Sequence, residues 1–572
     1  MNNLREFIDV STGRMKADIV FKNGRIINVF SHEIIEGDLA VHGGYIVGVG
    51  EFQGIHEIDL DGAYISPGLI DAHVHMESSM LSPENMAELI IPQGTTTIIT
   101  DPHEIANVSG CRGIEYMLEA TEDIPLNVFV NLPSCVPATP FESSGATLLA
   151  DDLEGFLSHK RVLGLAEFMN FPGIRSKDPE VMKKLMAARR RGMVIDGHAP
   201  GMAEEDVIIY AGAGISTDHE SETFEEMLTK IRNGLYTHIR EGSAARNLEA
   251  LARELPENLT RWCCLCTDDS HPETLLKEGH IDHLLKKLVA LGRDPVTAIQ
   301  MGTINPARCY KLEGIGALAP GYAADIVVFE DLVNFRVLKT YKDGVEVYNG
   351  KSPVKIEGRY MDEKLLSSVN VQVERKDLKI YVKGKRVNII ELIPGSLLTK
   401  KSQAQVVLVD GEFQPENNEG LLKLFTIERH HGTGNIGRGI IKNLGDLRGA
   451  IATTISHDSH NLIVAGDRDE DIFLAIEEIK RIKGGVCLVH RGRVIVSIPL
   501  EIGGIMTQRP GKEVAKKMRE FMRSSREYGV SEGIDPLINL SFLALPVIPE
   551  LKLTDRGLFE FTTFKHISLE CE

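Results

Sequence analysis

No stretch of about 18 consecutive apolar residues occurs in this 572-residue chain, so no membrane-spanning helix is expected. The opening "MNNLREFIDVSTGRMKADIV" lacks the apolar core of a secretory signal. Positive charge is in deficit. Lys and Arg total 63 against 82 Asp and Glu, a formal net charge of −19. Nucleic acid and anionic membrane surfaces both select basic patches, so neither is expected as a partner. Cysteine is sparse: eight residues, at 111, 135, 263, 264, 266, 309, 487 and 571. Without an export signal they read as reduced thiols of a cytoplasmic protein, not as a disulfide framework.

What is present is an ordinary globular composition, 43% hydrophobic and 25% charged, in a chain long enough for about three or four domains. Residues 17 to 66 alternate apolar and polar positions between glycine turns, which is strand and hairpin patterning. The same patterning returns at 316 to 350, and both stretches contain Ala-Asp-Ile-Val, at 17 to 20 and 324 to 327. One small β domain built from two distant pieces of chain is the expectation. Between them, eight β-branched apolar runs alternate with helical segments such as "SPENMAELIIPQ" and "FEEMLTKIRNG". That rhythm predicts a parallel sheet buried on both faces, and eight strands close a (β/α)₈ barrel. Beyond about residue 365, strands and mixed segments restart and predict a separate α/β domain. The expected division is 1–66 and 316–365 for the split β domain, 67–315 for the barrel and 366–572 for the C-terminal domain.

The apolar runs end in reactive side chains. The first ends in His73 and His75, the second in Asp101 and His103, the fourth in Glu167. The fifth ends in His198, the sixth in Asp218 and His219, the eighth in Asp268 and Asp269. In a barrel all these ends share one face, and that face carries the active site. His-x-His on a strand puts two imidazoles on one side, because side chains alternate with period two. Imidazoles with added carboxylates suit Mn²⁺, Fe²⁺ or Zn²⁺, and the carboxylates favour the harder ions.

This pattern resembles the amidohydrolase superfamily: His-x-His on strand one, a bridging group on strand four, His on strands five and six, Asp on strand eight. Many members carry a carbamylated Lys on strand four; here that position is Glu167, which argues against the dihydroorotase and hydantoinase branches. Longer strings resemble the microbial adenine deaminase family: "GLIDAHVHMESSM", "GTTTIITDPHEIANV", "DGHAPG", "REGSAARNLEAL", "CTDDSHP" and, in the tail, "ERHHGTGNIGRG" and "SHDSHNLIVAG". The resemblance covers nearly the whole chain. It implies hydrolytic deamination of adenine to hypoxanthine and ammonia, in purine salvage, at a site of two divalent ions with Mn²⁺ favoured and Fe²⁺ or Zn²⁺ as alternatives. It implies metal ligands His73, His75, Glu167, His198, His219 and Asp268, with Asp268 also moving protons and Asp269 beside it. Glu77 is a candidate second proton carrier or substrate hydrogen-bond partner, against the plainer reading of a cap or ion pair. A homo-oligomer of two or four is expected. The rival function is another hydrolase of the superfamily, acting on a cyclic amide or an N-acyl group.

Three other signals are weaker. His75-Met76-Glu77 with Cys263-x-x-Cys266 has residue types of the zinc base deaminases. The gap between them is far too long, and no Pro precedes Cys263. Gly432, Gly434 and Gly437 have dinucleotide-loop spacing, but the following segment is short for the helix that seats a pyrophosphate. A tight turn bringing His430 and His431 towards the barrel mouth is the stronger expectation. "SHDSHN" places His457, Asp458 and His460 either over the active site or in a surface turn.

Overall fold

The computed structural model describes residues 4–352, 355–358 and 363–571. Residues 353, 354 and 359–362, within the segment expected to close the split β domain, lie outside the described residues.

Eight parallel strands form the barrel: β1 (Leu69–His75), β2 (Thr95–Thr100), β3 (Asn127–Leu132), β4 (Val162–Phe168), β5 (Val194–Gly197), β6 (Thr217–Asp218), β7 (Tyr236–Arg240) and β8 (Cys263–Cys266). Every residue of β1 and of β2 is buried, as a parallel strand covered on both faces requires. Strands β1 to β5 pair in order, and β6 to β8 pair in order. The ring closes where Asp268 and Asp269, just past β8, pair with Val74 and His75. The other seam is bridged by the Ser216 amide, which donates to the Ile195 carbonyl at 3.0 Å. Where β4 meets β5 the backbones approach closely: a Cβ on Gly164 would lie 1.7 Å from the Val194 carbonyl oxygen.

The two distant pieces join in one eight-stranded sheet, in which Tyr64–Pro67 runs antiparallel to Ile326–Phe329. The sheet curls on itself, so Phe21, Leu39 and Val41 share a core with Ile65, Ile326 and Val328. Its other face, with Ile27, Val327 and Phe329, packs on barrel helices.

The C-terminal region builds a second eight-stranded sheet, mostly antiparallel. The helix Asp469–Arg481 covers one face through Ile472, Ala475, Ile476 and Ile479. The helix Gly511–Glu527 covers the other through Val514, Met518 and Phe521. This second core is not confined to its domain. It continues into Met76, Met80, Ile90, Ile98 and Ile105 of the barrel, so one apolar cluster spans both units. Among the described residues, no helix is long and apolar enough to cross a membrane. All eight cysteines are unpaired, and Cys263, Cys264 and Cys266 are fully buried in the barrel.

Candidate metal centre and active-site cavity

The alternation of β1 turns His73 and His75 to the same side, with ring centroids 4.9 Å apart. Both are buried. Asp71, two residues earlier, pins this strand: its Oδ1 accepts from the amides of His73 and Thr267, tying β1 to the end of β8. His75 Nδ1 lies 3.0 Å from the Asp101 carbonyl oxygen, which can only accept. Nδ1 therefore donates to that carbonyl, which leaves Nε2 as the nitrogen that faces the cluster.

Glu167, at the end of β4, is the hub. Its Oε1 lies 3.0 Å from His73 Nε2, 2.8 Å from His75 Nε2 and 3.8 Å from His219 Nε2. Its Oε2 lies 2.9 Å from His198 Nδ1. Asp268 Oδ1 lies 3.2 Å from His75 Nε2 and 3.6 Å from His73 Nε2. Five of the expected ligands thus surround Glu167. Asp218, named above as a strand-end residue, takes no part. It accepts from the amides of Ala199 and Glu220, each next to a cluster histidine, and pairs with buried Lys230 at 2.6 Å.

The electrostatics show what the cluster wants at its centre. Burial alone would push His73 down, but hydrogen bonds to Asp268 and Glu167 outweigh it and raise it to about 10. Burial also opposes His198, yet Glu220 and Glu167 raise it to about 9. Burial would raise Glu167 and Asp268, but the surrounding histidines hold both carboxyls well below their usual range. Positive charge is strongly stabilised here, and divalent ions supply it in a compact form. His198 Nδ1 supports that fit: despite its 2.9 Å approach to Glu167 it is buried without an aligned hydrogen bond. His73, His75, Glu167 and Asp268 form one group able to hold a metal ion, and Glu167, His198 and His219 form another.

A cavity of about 750 Å³ opens above these groups. His103 lines it, held by Asp101 at 3.0 Å, as do Glu104, Asp269, His457 and Asp458. "SHDSHN" therefore closes the site from the C-terminal domain. His460 is buried behind it, 3.5 Å from Glu104. Glu77 is not on the cavity wall: its Oε1 accepts from the Ile105 amide at 3.2 Å, and burial pushes it up to about 7. Burial, with Glu77 and Asp269 as neighbours, pushes Glu104 up to about 8. Ser78 Oγ is 2.6 Å from Glu104 and 2.5 Å from Asp269. One hydroxyl has one proton to give, so the second contact needs a protonated carboxyl, and Glu104 is the one that burial favours.

The glycine turn holds no anion site. Glu428 accepts from the amides of His430, His431 and Thr433, the groups a pyrophosphate would need, and a strand follows (Ile436–Lys442). His430 and His431 bond the carbonyls of Ser459 and Ser144 and do not line the cavity.

The amidohydrolase family matches residues 64–347, and the adenine deaminase C-terminal domain matches 396–565. Adenine deaminase 2 of Carboxydothermus hydrogenoformans is 45% identical over 99% of this chain and 99% of its own. The adenine deaminase of Geobacillus kaustophilus is 44% identical over 100% of this chain and 99% of its own. The chain belongs to the adenine deaminase family. Among solved structures, a beta-aspartyl dipeptidase from Fervidobacterium islandicum AW-1 aligns with TM-score 0.47 and 17% identity, over 60% of this chain and 99% of that one.

Two residues escaped the sequence reading. Arg240 ends β7 and spans two carboxylates, Glu220 and Asp268; Glu220 itself lies 3.1 Å from His219 Nε2. Arg240 opens the string "REGSAARNLEAL", and Glu220 directly follows His219. The available signal was position: Arg240 is a strand-end residue like the others, but a cation does not look like a ligand.

Proposed function

We propose that this chain hydrolyses adenine to hypoxanthine and ammonia. The observation that carries the reading is Glu167, one carboxylate within reach of four imidazoles, in a chain 45% identical along its length to proteins named adenine deaminase. We assign one divalent ion to His73, His75, Glu167 and Asp268 and a second to Glu167, His198 and His219, with Mn²⁺ favoured by the carboxylates. Such ions, when bound, supply Lewis acidity and make water a nucleophile near neutral pH.

The protein's own groups then divide the work. Arg240 holds Asp268 Oδ2 at 2.7 Å, which leaves Oδ1 turned to the cluster to accept a proton from the attacking water. The new bond is from that oxygen to the ring carbon bearing the amine. The bond that breaks joins this carbon to the amine nitrogen. Water's two protons finish on the adjacent ring nitrogen and on the departing ammonia. Asp268 carries them. Glu77 is not on the cavity wall, so its expected part as a hydrogen-bond partner of the substrate passes to Glu104, which is. Reduced thiols support a cytoplasmic location.

The test is ammonia release from adenine by protein stripped of metal and reloaded with Mn²⁺ or Fe²⁺. Metal-dependent hypoxanthine formation, lost in Glu167→Gln, is the expected result. A folded, metal-loaded chain that leaves adenine intact and hydrolyses a cyclic amide would overturn it in favour of the rival reading.

A further inference from the structure

The cavity has two unlike halves. Its polar half comes from the barrel strand ends. Its apolar half comes from the C-terminal domain: Leu397, Phe542, Leu545, Val547 and Ile548. Phe542 is the one Phe, Tyr or Trp among the described lining residues, in a chain with only 6% aromatics. It stacks on His457 at 4.4 Å with an interplanar angle of 27°. Burial keeps the His457 ring in its neutral form. Both rings line the same cavity as the cluster. Phe542, Val547 and Ile548 are half-buried, and all three line this cavity.

We propose that the Phe542–Ile548 segment, with Leu397, is the wall that binds the flat face of the purine ring and sets the choice of a planar heteroaromatic base. The C-terminal domain is thereby half of the substrate pocket. The physical need is plain. A cluster of imidazoles and carboxylates can activate water for many substrates, but it has nothing to stack on a bicyclic ring. Apolar and aromatic surface recognises such a ring, and fixed orientation brings its amine-bearing carbon to the nucleophile. The barrel half supplies no Phe, Tyr or Trp among the described lining residues, only Met169, Pro200, Ala244 and Ala245 as apolar groups.

This inference rests on the adenine reading, so the experiment separates the two. Phe542→Leu and Leu545→Ala are compared with the native chain, each checked for unchanged metal content. Binding of hypoxanthine is read by calorimetry, independently of turnover, and inhibition by acetohydroxamate reads the metal cluster alone. The expected result is hypoxanthine affinity and adenine KM weakened roughly tenfold in both variants, with hydroxamate inhibition unchanged. Hypoxanthine affinity unchanged in both variants would overturn the wall, as would parallel loss of hypoxanthine and hydroxamate binding, which marks a distorted site. A native chain that binds hypoxanthine through this wall but leaves adenine intact would overturn the adenine reading and keep the wall.

Discussion

One guanidinium holds two carboxylates apart: Arg240 NH1 lies 2.6 Å from Glu220 Oε1 and 2.7 Å from Asp268 Oδ2. Its NH2 reaches the other Glu220 oxygen at 2.8 Å. The fork fixes both side chains beside the cluster, which a point charge does not do. Arg240→Lys is therefore expected to keep the charge and lose the geometry. A fall in kcat/KM of roughly 10- to 100-fold, with the chain still folded, is the expected outcome of steady-state kinetics. Full activity in the lysine variant would contradict the tethering role.

Glu167 touches more of the cluster than any other residue. Glu167→Gln keeps its size and removes its charge. Metal analysis after dialysis is expected to show loss of bound ion alongside loss of turnover. Retention of the native metal content would remove Glu167 from the bridging position.

Lys230 and Asp218 form a fully buried pair. Removing one partner leaves a buried charge uncompensated, at a cost of about 3–5 kcal/mol. Lys230→Met is expected to lower Tm markedly and to disturb the His198–His219 half of the cluster, because Asp218 holds the amides beside both. Thermal melts and metal titration check the two effects separately.

Lys552 is fully buried, its ammonium donates to the Leu397 carbonyl at 3.1 Å, and burial pushes it down to about 7. The unfolded chain therefore binds one more proton than the folded chain from about pH 7 up to the ordinary lysine value near 10.5. Stability from this group rises with pH across that window and is flat below it. Lys552→Met should flatten the rise. Melts of both proteins at intervals from pH 7 to 10 decide the matter: parallel curves would show that Lys552 is not the source.

Gly164 has no room for a side chain, since its Cβ would sit 1.7 Å from a backbone oxygen. Gly164→Ala should force β4 from β5, three residues before Glu167. Loss of soluble protein, or of metal from what remains soluble, is the expected readout.

The barrel and the cluster of strand-end side chains were legible because they obey simple periods. Buried parallel strands read as apolar runs, and each run stops where the reactive face begins. His73 and His75 follow the two-residue alternation, so their common direction could be read directly. The same rule fails one step later. After His75 the chain turns into a short 3₁₀ segment, Met76–Ser79, where the period-two alternation ends, and Glu77 accepts from the Ile105 amide instead of lining the cavity. Arg240 and Glu220 were hidden for another reason: their meaning lies in the pair they make across β6 and β7. The apolar wall was hidden by distance, since Phe542 and His75 are far apart in sequence and meet only through the tertiary fold.

The apolar cluster that runs from the C-terminal sheet into Met76, Met80 and Ile105 has a practical meaning for anyone cutting or recombining this chain. There is no clean seam at which to separate the catalytic unit from its tail. A barrel expressed alone would present a raw, sticky flank beside its own reactive mouth, and a tail expressed alone would present the mating surface. The two inherit each other's mutations as a single object.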